Sequence, residues 1–182
     1  QQPYIPQYAM SSFSKKMLFD GVNDYVTGSF NGNIGPAKDI TFSCWFSYED
    51  SVAAAGDRET LFGLMSSSTD STPYNQFEVS LFETNKIVVF TGDGTSHSTS
   101  NSTQNSLVKN KLNHVAVSVN TYDASNGVIK IYINGVLDTT TTKPNYGAST
   151  ITHYRIGSRN NSDNLNKGII DEVSLFKSEL TQ

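Results

Sequence analysis

Apolar side chains recur at every second position along much of this chain. Only an extended strand turns that period into a one-sided apolar face, so it restricts the fold more than any other feature. Ile40, Phe42, Cys44 and Phe46 alternate with Thr41, Ser43, Trp45 and Ser47. Phe77, Val79 and Leu81 repeat the pattern and lead to the continuous run Ile87-Val88-Val89-Phe90. Val115, Val117 and Val119, then Ile129, Ile131 and Ile133, do the same. Asn134-Gly135 stands between I-K-I-Y-I and V-L-D-T-T, and Asn-Gly supplies the positive φ angles of a type I′ turn, so a tight antiparallel hairpin is expected there. Ala53-Ala54-Ala55-Gly56 is long enough for one helical turn and no more. Strands of this kind without a helical period pack as two antiparallel sheets face to face, an all-β jelly-roll sandwich. An immunoglobulin-type sandwich is disfavoured: the chain exceeds that domain's ~100 residues and lacks its Cys…Trp…Cys spacing.

The 182 residues suit one domain with a substantial core. Residues 1–16, with Pro3 and Pro6 and no periodicity, read as an arm or linker, and residues 17–182 as the domain. A net charge of -4 and the absence of a basic run argue against nucleic acid as a partner. No apolar stretch approaches the ~20 residues that span a bilayer, so membrane insertion is not expected. The start, Q-Q-P-Y-I-P-Q-Y-A-M, has neither the positive nor the apolar region of a signal peptide. A leader already removed and an internal piece of a longer protein both stay open. The single cysteine, Cys44, excludes an internal disulfide and sits in a strand pattern as a small buried hydrophobe.

Two phrases near the ends, L-F-D-G-V-N-D-Y-V (18–26) and G-I-I-D-E-V-S-L-F (168–176), join apolar strand patterns to carboxylates that strand propensity does not favour. A cation linking the first and last strands through these oxygens is one explanation; solvation or turn capping is the other. Ile170 and Val173 have opposite strand parity, as a bulge at Asp171-Glu172 produces.

The ordered set L-F-D-G-V-N-D-Y-V, I-T-F-S-C-W-F, L-N-H-V-A-V-S-V-N, I-K-I-Y-I-N-G-V-L-D, Y-R-I-G-S-R and G-I-I-D-E-V-S-L-F resembles a laminin-G-like domain of the concanavalin A-like lectin/glucanase superfamily. The likeness runs from about Met17 to Leu180, with one departure: Asn113 stands where the family pattern usually has Trp. It implies a jelly-roll sandwich used for glycan binding, protein adhesion or, in some members, glycan cleavage. It also implies a structural calcium, for which Asp20 and Asp171 are the matching residues, completed by carbonyl oxygens and water.

Glycan binding needs aromatic faces against sugar C–H groups and polar groups that read hydroxyls. The polar loops 66–75, 91–106, 143–149 and 158–167 make a rim that supplies Tyr74, Tyr146, Tyr154, Arg159, Asn160 and Asn161, and the outer side of a strand supplies Trp45. Tyr154 and Trp45 have the alternative of packing inside the sandwich. The E-x-D-x-E strand of the superfamily's glucanases is absent, Glu78 and Glu83 fall on opposite strand faces, and His97, His114 and His153 lack a metal-ligand spacing, so no enzyme is expected. The expectation is a non-catalytic lectin-like module binding glycan, or a glycosylated partner, through its loop rim. The alternative is a structural or adhesion module contacting a surface protein within a larger assembly. Many Ser, Thr and Asn with few charges suit an extracellular, cell-surface or virion-surface setting.

Overall fold

The structure, a computed structural model, describes residues 16–30, 39–49, 58–66, 77–82, 85–92, 97–103, 107–120, 127–142, 151–159 and 165–180. The arm at residues 1–15 and the helical turn expected at Ala53 to Gly56 lie outside them. Twelve strands are formed: β1 (Met17–Asp20), β2 (Val26–Ser29), β3 (Ile40–Tyr48), β4 (Arg58–Met65), β5 (Phe77–Phe82), β6 (Lys86–Gly92), β7 (His97–Asn101), β8 (Asn113–Asn120), β9 (Val128–Ile133), β10 (Val136–Thr142), β11 (His153–Ile156) and β12 (Lys167–Phe176). They make two six-stranded sheets, β1-β12-β3-β8-β9-β10 and β2-β11-β4-β5-β6-β7, antiparallel throughout.

The alternating apolar positions are the core. Phe42, Cys44 and Phe46 of β3, Val115, Val117 and Val119 of β8, and Ile129 and Ile131 of β9 are buried, facing Phe62, Leu64, Phe77, Val79 and Val89 of the second sheet. Phe42 stacks on Phe62 across the gap, ring centroids 4.6 Å apart. Burial desolvates the Cys44 thiol and pushes its pKa far up, which keeps it in the inert thiol form. Asn134 and Gly135 take φ values of 51° and 82°, the double positive φ of the expected hairpin turn.

The sequence pattern failed at β7. Residues 97–101 belong to the polar stretch expected to be loop, yet His97–Asn101 pairs along β6 as the edge strand of the second sheet. An edge strand has one solvent-facing side, so it can be built of Ser, Thr and Asn without an apolar period. Just beyond it, Thr103 donates its backbone N–H and its hydroxyl to the Asp138 carboxylate, at 2.7 and 2.6 Å, joining the second sheet to β10 of the first. Partial burial acts to raise the Asp138 pKa, but the hydrogen bonds from Thr103 and Thr139 outweigh it and hold the carboxyl below its ordinary value.

In β12 the expected bulge is present. The register with β3 shifts between Asp171 and Ser174, and Glu172 takes a φ of 49°. The extra residue puts Ile170 in the core and packs Val173 and Leu175 against it, in spite of their opposite parity.

Asn113 earns its place differently from the aromatic it replaces in the family pattern. Fully buried, its Oδ1 accepts from the Val108 amide at 2.9 Å, and its Nδ2 donates to the Val108 and Lys111 carbonyls at 2.9 Å each. It ties the 108–111 turn to the start of β8. Asn113→Ala strands these backbone groups, and a urea melt is expected to show a loss of about 2–3 kcal/mol.

Candidate functional site

Residues directly opposite one another in antiparallel strands share a sheet face. On the outer face of the first sheet, the pairings of β12 with β3 and β3 with β8 set Asp171, Trp45 and His114 in one row. Trp45 is 36% exposed despite its central strand. The indole lies against the His114 ring, centroids 5.1 Å apart and tilted by 56°. The His114 backbone is pinned by the hairpin turn: its N–H donates to Asn134 Oδ1 at 2.8 Å, and its carbonyl accepts from the Asn134 amide at 2.8 Å. Partial burial lowers the His114 pKa, opposed by the nearby negative charge of Glu172, so the ring is neutral near pH 7. The bulge thus has a second effect: it turns Glu172 out of the ladder while leaving its charge within range of this row.

The next row holds Ser43, Ala116 and Tyr132, and the one beyond it Thr41 and Ser118. Small side chains at Ser43 and Ala116 with bulky Tyr132, Phe176 and Leu180 around them leave a cavity of about 370 Å³. A second hollow of about 300 Å³, lined by Trp45, His114, Asn134 and Gly135, adjoins it and shares His114 and Gly135 with it.

The wall at Leu180 is a C-terminal strap laid across the end of the sheet. Thr41 Oγ1 donates to the Ser178 carbonyl at 2.8 Å and accepts from the Leu180 amide at 2.9 Å. Glu179 accepts from Lys130 Nζ at 2.8 Å and Asn120 Nδ2 at 2.6 Å. The hydrogen bonds from Lys130 and then Asn120 hold the Glu179 pKa below its ordinary value, against partial burial. A depressed carboxylate contributes stability that is present above its unfolded pKa of about 4.3 and lost as pH falls through the folded value. Glu179→Gln is expected to cost about 1 kcal/mol at pH 7, with the Tm difference from wild type closing below about pH 4 in thermal melts.

The residues singled out in the sequence fare unequally. Trp45 is on the open face. Tyr154 takes the other alternative: its ring faces the core side, packs on Phe30 at 5.3 Å and covers Gly28, where a Cβ would come within 2.5 Å of its hydroxyl. Arg159 is not a solvated rim residue; its Nε lies 3.7 Å from Glu78 Oε2 on the second sheet. Glu78, buried on β5, also meets Arg58 at 3.7 Å and accepts from the Ser80 hydroxyl at 2.7 Å. Tyr74, Tyr146, Asn160 and Asn161 lie outside the described residues.

Asp20 and Asp171 both point from the outer face of the first sheet, but the register keeps them apart. Asp20 pairs with Lys167, and Asp171 lies four residues further along β12, roughly 13 Å at strand rise. Calcium–oxygen bonds of about 2.3–2.6 Å cannot close that gap, so the two carboxylates do not fit one shared ion. Asp20 Oδ1 instead accepts from the Val22 amide at 2.7 Å and the Asn23 amide at 3.3 Å, and Asp24 Oδ2 accepts from the Asp20 amide at 3.1 Å. Among the described residues no group of three or more His, Cys, Asp or Glu is placed to hold a metal.

The sequence alone did not bring His114, Tyr132, Asn134 and Glu172 together on this face. Their alternation marks the first two as outward-facing, and the parity break at Asp171-Glu172 marks the bulge. What single-strand patterns do not carry is that β12, β3 and β8 are neighbours.

Known structures share this architecture at low sequence identity. A heptameric SAP-like pentraxin from Limulus polyphemus matches with a TM-score of 0.66 and 14% identity over 91% of this chain and 77% of that one. The CBM40 of a Ruminococcus gnavus IT-sialidase, bound to α2,3-sialyllactose, matches at 0.64 and 11% over 92% and 94%. The botulinum neurotoxin serotype D binding domain matches at 0.67 and 16% over 92% of this chain and 43% of its own, so this chain spans less than half of that domain. No curated protein sequence matches. A family model described as concanavalin A-like lectin/glucanases superfamily, laminin G type 3, matches residues 20–182. The chain belongs to this laminin G family of the concanavalin A-like lectin/glucanase superfamily.

Proposed function

We propose that this domain is a non-catalytic, lectin-like module that binds glycan on the outer face of its first sheet, on a protein displayed outside the cell or on a virion. The observation that carries this reading is the exposed indole of Trp45, held in one row between Asp171 and His114 and opening onto adjoining hollows. A flat apolar ring flanked by hydrogen-bonding groups suits a sugar, whose C–H face is apolar and whose rim is hydroxyl. The reading moves the site from the loop rim to the sheet. The fold shared with a module bound to sialyllactose supports glycan as a class without choosing the sugar.

Trp45 is the chain's one tryptophan, so its fluorescence reports on this face alone. Sugars that score on a glycan array are expected to shift Trp45 emission saturably. Array-positive sugars that leave the emission unchanged would place binding elsewhere. A second reading, an adhesion module making protein contacts, draws on the apolar exposure of Leu18, Val22 and Val26 near the β1–β2 edge. Silence across the whole array would favour it.

A further inference from the structure

Building on the proposed glycan face, the geometry points to a neutral N-acetylated sugar as its ligand, with the sugar ring on Trp45 and the acetamido group in the hollow over Ala116. Three features of the face lead there. The larger hollow begins one row from Trp45, because Ala116 and Ser43 are the small side chains opposite one another in the next row. Rows on one face are roughly 7 Å apart, about the reach of an acetamido methyl from the centre of its ring. Tyr132, Phe176 and Leu180 give that hollow apolar walls suited to a methyl group rather than to a hydroxyl-covered second sugar.

The polar content matches an amide. Ser43, half-buried, brings a hydroxyl to the hollow that can donate or accept. A bare methyl, as on a 6-deoxy sugar, would fill the walls and leave that hydroxyl unmatched.

Charge sets the remaining choice. The β12 side of Trp45 carries Asp171 and, at the bulge, Glu172, and the chain as a whole has a net charge of -4. Two carboxylates beside the platform repel an acidic sugar. Sialic acid carries the acetamido group and a carboxylate together, so it separates the two requirements.

The test is a titration of the intact domain, followed by Trp45 emission and calorimetry, with methyl glycosides of N-acetylglucosamine, N-acetylgalactosamine, glucose, galactose and fucose, and with sialyllactose against lactose. At least one N-acetyl glycoside is expected to bind about tenfold more tightly than its unsubstituted parent, through one buried methyl and one added hydrogen bond. Sialyllactose is expected to bind no better than lactose. Ala116→Leu fills the hollow from an outer face, so its Tm should stay near wild type while the N-acetyl preference falls below threefold. Equal binding of N-acetyl and parent glycosides would overturn the acetamido assignment and leave the glycan reading intact. Fucose outperforming both, or sialyllactose outperforming lactose, would overturn it as well. Absence of any emission change with every sugar would instead remove the glycan face itself.

Discussion

Gly168→Ala is expected to cost about 3 kcal/mol or more, enough to lower Tm by about 10 °C in a domain of this size, and to abolish the cooperative transition if the remaining stability is small. Gly168 has a φ of 148°, a backbone state that side chains rarely adopt. Its neighbours make the position worse. It sits between Phe19 of β1 and Tyr48 of β3, and an added Cβ would lie 2.1 Å from the Ser47 carbonyl oxygen and 3.0 Å from its carbon. Both are backbone atoms of a central strand, so no side chain can swing aside. Gly135→Ala provides the comparison: φ is 82° but a Cβ there meets nothing within 4 Å, so only the left-handed backbone is penalised, at about 1–2 kcal/mol. Denaturant melts of the two variants separate steric exclusion from backbone preference. Equal, small losses would mean the β1-β12-β3 spacing is wrong.

Trp45→Ala is expected to weaken glycan binding about 30-fold or more, equivalent to about 2 kcal/mol for an aromatic anchor at the centre of a contact. Tm should move by no more than a few degrees, since the indole lies on the outer face and, among the described residues, its ring contact is with His114. Calorimetry is the appropriate measurement, because the variant has no tryptophan left to observe. Trp45→Phe, which retains a smaller apolar face, should lose less. Unchanged affinity in Trp45→Ala would exclude this face, whatever the array shows. A parallel collapse in Tm would show the indole to be structural.

Much of the fold was legible because burial writes itself into the sequence as a period. Ile40 to Phe46, Val115 to Val119 and Ile129 to Ile133 each name their buried side without reference to any other segment. Asn134-Gly135 names its turn, and Ile170 with Val173 names the bulge. What was hidden is set by longer-range physics. β7 carries no apolar period, because an edge strand of Ser, Thr and Asn is specified by the neighbour it pairs with. Of the proposed face, only Trp45 stood out in the sequence. Its companions come from β8, β9 and β12, and strand order is not encoded in any one of them. Tyr154 and Arg159 were plausible by residue type, but the core and Glu78 respectively claim them. The Asp20–Asp171 pairing failed for a related reason: knowing that the first and last strands are adjacent does not fix how far one has slid along the other.

The bulge in β12 also bears on how this domain can change over evolutionary time. Removing Glu172 would leave Ile170, Asp171, Val173, Ser174 and Leu175 in plain alternation, so Val173 and Leu175 would keep their places against the core and Ser174 its outward position. Loss of this one residue would therefore discard a carboxylate beside the Trp45 row and spare the packing beneath it.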